Sequence, residues 1–129
     1  MARKKSTTLT DAELRIMEVI WKRGSATVGE VAEALSGKDG SAYTTIQTLM
    51  GILRTKGYLS CRKDGRVQVF TPRVERDAAA RKAVRHLLKK FFAGSPGELV
   101  LSFLRDEELS LQELEDLKRQ VEEAPDPNP

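Results

Sequence analysis

Two short runs of alternating residues, YLSCR (58–62) and VQVFT (67–71), flank Lys63-Asp64-Gly65-Arg66 in a chain whose other apolar residues recur with helical spacing. Runs of this length joined through Asp-Gly predict a β-hairpin. Upstream, Thr10-Asp-Ala-Glu13 and Thr27-Val-Gly-Glu30 each place a Glu three residues after a Thr, the pattern of a reciprocal helix cap. The first opens a helix expected to bury Leu14, Met17, Ile20 and Trp21 and to stop near Gly24. The second opens a short helix with Val28, Val31, Ala32 and Leu35, closed by Ser36 and Gly37. A third runs from an N-cap at Ser41 to Lys56-Gly57.

Downstream of Pro72, an amphipathic helix is expected from about Asp77 to Ala93, with Ala80, Val84, Leu87, Leu88 and Phe91 on one face. Ser95-Pro-Gly-Glu98 and Ser110-Leu-Gln-Glu113 open two more helices, which carry LVLSFL and the stripe Leu111, Leu114, Leu117 and Val121. The ending APDPNP is too proline-rich to fold. Helix, helix, helix, hairpin is the order of a winged helix-turn-helix. The expected fold is mainly α with a small β-hairpin: a basic arm over 1–8, a winged-helix domain over 9–72, a helical region over 73–124 and a disordered tail over 125–129. The order alone does not assign DNA binding, because winged helices also serve as protein-interaction modules.

The chain has 129 residues with one cysteine, Cys61, and one histidine, His86. That length excludes a large enzyme core. Cys61 can form no internal disulfide, no metal-ligand cluster is spelled out and no cofactor is expected, so the chain reads as intracellular. Cys61 shares a strand face with Leu59 and is expected to pack inside; His86 falls on the polar side of its helix. No run approaches the roughly 18 apolar residues of a spanning helix, and MARKKSTT lacks an apolar segment, which predicts a cytoplasmic protein. Charge is unevenly distributed: residues 1–93 carry 19 Lys/Arg against 9 Asp/Glu, net +10, and residues 94–129 carry 3 against 10, net −7. A basic body suits a polyanionic partner, although solvated faces account for such counts equally well.

The third helix decides between these readings. With successive residues about 100° apart, Ala42, Ile46, Leu49, Met50 and Leu53 share one face, and Thr44, Gln47, Thr48, Gly51 and Thr55 share the other, with Thr45 at its margin. Threonine and glycine both disfavour helix, so they are poor choices for a face that only meets water. Short hydroxyls, an amide and a missing side chain suit base edges and close backbone approach instead. Arg54 and Lys56 at the helix end and Arg62, Lys63 and Arg66 at the hairpin frame this face as expected phosphate contacts, joined by Arg3, Lys4 and Lys5 of the arm.

LTDAELRIMEVIW, YTTIQTLMGILRTKGYL and ELVLSFLRDEELSLQELEDL together resemble the penicillinase-repressor family (BlaI/MecI/CopY type) of bacterial winged-helix repressors, from Leu9 to Glu123. The resemblance implies a homodimer on a palindromic double-stranded DNA operator, with Thr45, Gln47 and Thr48 at bases and phosphates and Arg66 on the backbone. Dimerisation is expected to use Leu87, Phe91, Leu104, Leu111, Leu114, Leu117 and Val121. Well-studied members are inactivated by proteolysis in that region after a membrane sensor protease detects a β-lactam. Ser102-Phe103 occupies the corresponding place, with serine where those members have asparagine. Copper-responsive members carry a C-terminal cysteine cluster, which is absent here. Ile52 stands where many relatives have arginine, so the preferred half-site sequence does not carry over.

Overall fold

The computed structural model describes residues 8–35 and 43–124. Six helices and one hairpin follow in the order α1 (Asp11–Arg23), α2 (Val28–Leu35), α3 (Tyr43–Lys56), β1 (Leu59–Asp64), β2 (Val67–Pro72), α4 (Arg76–Phe91), α5 (Pro96–Arg105) and α6 (Leu111–Glu123). The chain divides into two compact units, Met1–Val84 and Arg85–Pro129, with the division inside α4. The expected arm, the cap at Ser41, the packing of Ala42 and the closure at Ser36-Gly37 lie largely or wholly outside the described residues.

In the first unit, both expected reciprocal caps form. Thr10 Oγ1 accepts from the Glu13 amide at 3.2 Å while the Thr10 amide donates to Glu13 Oε1 at 2.9 Å. Thr27 and Glu30 repeat the arrangement at 3.1 and 2.9 Å. Gly24, at φ 89°, ends α1 by donating its amide to the Ile20 carbonyl at 2.7 Å. Ile16, Met17 and Ile20 of α1 share a core with Val28, Val31 and Leu35 of α2 and with Ile46, Met50 and Leu53 of α3. Each such side chain, fully buried, contributes about 1.5–3 kcal/mol.

The inward stripe of α1 is therefore Glu13, Ile16, Met17 and Ile20. Leu14, expected inside, lies about 110° around the axis from the centre of that stripe and is exposed. Trp21, expected buried, is half-buried at the stripe's edge, where its indole N–H donates to the Val74 carbonyl at 2.9 Å.

The hairpin pairs antiparallel from Leu59 with Pro72 to Asp64 with Val67, leaving Gly65-Arg66 as a two-residue loop. β1 thus reaches nearer the tip than expected, with Lys63 and Asp64 inside it, while β2 starts at Val67 as expected. Gly65 at φ 68° supplies the positive dihedral that a tight hairpin needs in its first central position. A further rung, absent from the alternation pattern, ties Ala26 to β2: the Ala26 amide donates to Phe70 O at 3.0 Å and the Phe70 amide donates back at 2.8 Å. This rung fixes the hairpin against the segment between α1 and α2. Cys61 is half-buried against the core.

The expected apolar face of α4 is only partly buried among the described residues. Ala79 is buried rather than Ala80, Leu88 is buried, and Val84, Leu87 and Phe91 are exposed. In the second unit, Ser95 Oγ accepts from the Glu98 amide at 3.2 Å, but its own amide donates to Phe92 O at 2.8 Å, so the reciprocal arm expected from Glu98 is replaced by a turn. Ser110 and Glu113 form both arms of their cap.

One ion pair is shielded from water. Lys56 Nζ donates to Glu13 Oε1 at 2.7 Å and to the Thr8 carbonyl at 3.2 Å, with side chains 9 % and 3 % exposed. Burial pushes the Glu13 carboxyl up, but the Lys56 ammonium and the Thr10 amide outweigh it and hold it below its ordinary 4.5. A carboxyl lowered on folding stabilises the fold above about pH 4.5, and this contribution disappears as pH falls through the folded-state value. Urea unfolding between pH 7 and pH 3 is expected to show a loss of stability below that point which is reduced in Glu13→Gln. Parallel pH profiles for the two proteins would contradict the assignment.

Candidate nucleic-acid interface

The packing of α3 settles which side faces outward. Ile46, Met50 and Leu53 are within 1 % of full burial, and Leu49 packs partly against the same core. Thr44, Thr45, Gln47, Thr48, Gly51 and Thr55 are all exposed. Ile52 is half-buried, so its side chain lies off the outward face.

Two of the threonines are held by their own helix. The Thr48 hydroxyl donates to the Thr44 carbonyl at 3.0 Å, and the Thr55 hydroxyl donates to the Gly51 carbonyl at 3.1 Å. With its proton committed inward, each hydroxyl keeps its acceptor lone pairs for an outside donor. Gly51 has helical backbone geometry, and a Cβ built there meets nothing within 4 Å. The fold thus gives no reason for glycine at this position, which weakens the helix by about 1 kcal/mol relative to alanine.

A cleft of about 510 Å³ opens beside this face, lined by Thr27, Val28, Gly29, Tyr43, Gln47, Lys63, Arg66, Val67 and Gln68. Three elements build it: the start of α2, the first turns of α3 and the tip of the hairpin. Two larger clefts in the same unit, of about 730 and 640 Å³, include carboxylates among their lining residues. The cleft at α3 has two cations and no carboxylate, so it alone of the three has a lining of one sign.

The expected cations do not all gather here. Lys63 and Arg66 line the cleft with Gln47. Arg62 is exposed, one residue from Lys63 along β1 and therefore on the other strand face. Arg54 is exposed in the last turn of α3. Lys56, expected on phosphate, is instead turned inward onto Glu13, because the buried carboxylate holds its ammonium at 2.7 Å. Conversely, Thr27, Gly29, Tyr43 and Gln68 join the cleft without having been singled out from sequence. Thr27 was legible only as a cap, and Gln68 enters through its pairing with Lys63 across the hairpin.

A family model described as penicillinase repressor matches residues 9–123. The chain belongs to that family. It is 37 % identical over 120 residues to the penicillinase repressor of Bacillus licheniformis, covering 93 % of this chain and 94 % of that protein. The methicillin resistance regulatory protein MecI of Staphylococcus aureus strain N315 is 28 % identical over 110 residues, 85 % of this chain and 89 % of MecI. The solution structure of the DNA-binding domain of the repressor BlaI is similar with a TM-score of 0.52 at 41 % identity, over 59 % of this chain and 93 % of that domain. The solution structure of monomeric B. licheniformis BlaI in complex with the blaP half-operator matches the same shares at a TM-score of 0.50 and 41 % identity. The winged-helix assignment follows from these family relatives and the hairpin seen here.

Among the described residues, no helix is long and apolar enough to cross a membrane, and no group of three or more His, Cys, Asp or Glu could hold a metal ion. Gly51→Ala is expected to raise the unfolding free energy of the free protein by about 0.5–1 kcal/mol, read from the shift of the urea midpoint. A destabilised Gly51→Ala would show that glycine is required by the fold after all.

Proposed function

We propose that this chain is a dimeric transcriptional repressor that occupies a palindromic operator in the cytoplasm, each copy laying α3 in the major groove. The carrying observation is the uncharged outward face of α3, with a glycine the fold does not require, beside a basic cleft free of carboxylates. Thr44, Thr45, Gln47 and Thr48 face the base edges and Gly51 permits close approach. Lys63 and Arg66 take phosphates next to Gln47, with Arg54 and Arg62 further out. The similar B. licheniformis BlaI, 41 % identical over 59 % of this chain, is in complex with a half-operator, which supports DNA as the partner.

Dimerisation by the second unit accounts for its exposed apolar residues. Phe91, Leu111 and Val121 are 66 %, 71 % and 77 % exposed in the single chain, and Leu87 and Leu117 are also exposed. Leu104 and Leu114, half-buried, extend the same set. A second copy covering these residues removes an apolar surface from water and supplies the two-fold axis that a palindrome requires.

Cleavage between Ser102 and Phe103 by a sensor protease is the route by which such a dimer is released from DNA. This bond lies within α5, and the carbonyls of both residues accept amides further along the chain, from Asp106 at 3.1 Å and Glu108 at 3.0 Å. A protease that binds its substrate extended must first unwind this end of the helix. Loss of the segment beyond the cut weakens dimerisation and with it the affinity gained from two linked half-sites.

Footprinting of the region upstream of the gene and its neighbours is expected to show a protected dyad at moderate salt. On that site, Thr45→Ala and Thr48→Ala weaken specific binding and spare binding to random duplex, whereas Arg66→Ala weakens both and lowers the slope of log K against log salt by about one. Absence of any protected dyad, or equal losses for all three variants on both duplexes, would contradict the reading.

A further inference from the structure

Lys56 has the charge and the helix-end position of a phosphate contact, yet its surroundings give it other work. Its side chain is 9 % exposed, and its ammonium is engaged by Glu13 Oε1 at 2.7 Å and by the Thr8 carbonyl at 3.2 Å. The three other ion pairs among the described residues have every side chain at least 44 % exposed, where such pairs contribute little. Glu13 is held ready for Lys56, because its carboxylate also accepts the Thr10 amide at 2.9 Å at the start of α1. Forty-three residues separate the two partners in sequence, so the pair joins the beginning of the domain to the end of α3.

We propose that Glu13 and Lys56 form a positioning pair that fixes the rotation and axial position of α3, and so the operator specificity of the bases it reads. The proposal rests on the DNA-reading role of α3 given above. Burial of Ile46, Met50 and Leu53 sets which side of the helix faces outward, but apolar contact is non-directional and leaves the fine rotation and axial position less sharply defined. A charge-assisted hydrogen bond is directional and short, and it resists both. Lys56 lies nine residues beyond Gln47, about 14 Å along the helix at roughly 1.5 Å per residue, so holding the far end aims the reading end as one rigid rod. Two-point contacts to base edges tolerate little misplacement, whereas single contacts from flexible cations to phosphate tolerate much more. Lys56 therefore acts on specificity through the helix, without touching DNA.

The test uses the full chain and a duplex that the wild-type protein enriches from a randomised library, compared with an unselected random duplex across a salt series. The double variant Glu13→Gln/Lys56→Met removes both charges and so avoids stranding one of them in the interior. It is expected to bind the enriched duplex about tenfold more weakly, with binding to the random duplex and the salt slopes unchanged. Lys56→Arg, which keeps the pair, is expected to retain the wild-type preference. If the double variant does not melt cooperatively above the assay temperature, Glu13→Gln alone, which keeps an acceptor for Lys56, is expected to show a smaller loss of the same selective kind. A slope lowered by about one with equal losses on both duplexes would make Lys56 a phosphate contact and overturn the proposal. An unchanged preference in the double variant, or in Glu13→Gln where that variant stands in, would overturn it also. Failure of the wild-type chain to enrich any sequence, seen before a variant is made, overturns the DNA-reading role itself and the positioning role with it.

Discussion

Burial of Ile46, Met50 and Leu53 against α1 and α2 is the constraint on which the rest of the first unit depends. A helix that commits one stripe to a core must present the opposite residues to solvent, and in α3 those residues are Thr44, Gln47, Thr48, Gly51 and Thr55. The hydroxyls of Thr48 and Thr55 bond back to the helix, which leaves their oxygens as acceptors. Nothing in the core asks for this composition, and an open Cβ position at Gly51 shows that the helix gives up stability there without any gain in packing.

The hairpin acquires its place by the same economy of contacts. Phe70 is buried in the core, and its backbone pairs with Ala26, so β2 is tied to the helices at its middle while the tip is left free. The two-residue loop at Gly65-Arg66 then carries Arg66 and, one strand residue earlier on the inward face, Lys63 to the side of Gln47. Both cations and the start of α2 meet α3 on one side. Of the three clefts described in the unit, the one there is lined by cations without a carboxylate.

Much of this was legible in the sequence, and the exceptions share a physical cause. Helix starts were readable because Thr-x-x-Glu and Ser-x-x-Glu are local devices; Ser95 is the partial exception, since a turn to Phe92 competes for its amide. The outward face of α3 was readable because periodicity alone divides a helix into sides. Leu14 and Lys56 were misplaced for one reason: Glu13 turns inward to meet Lys56, and a contact spanning 43 residues leaves no mark on local pattern. The Ala26 rung is equally silent, being a single residue with no alternation to betray it. In α4, Leu87 and Phe91 are legible as one apolar stripe and, through the family resemblance, as dimer residues; the stripe itself says only that something must cover it and not whether the cover comes from the same chain.

Backbone amide shift mapping of the nitrogen-15 labelled chain, titrated with its footprinted operator duplex, tests most directly that the α3 face and its cleft are the DNA surface. The account predicts that the largest changes fall in residues 43–51 and 63–68, while the indole N–H of Trp21, bonded to Val74 beside another cleft, keeps its position. Changes centred on Trp21 and the carboxylates Glu18 and Glu75 of that cleft, with α3 unmoved, would contradict it.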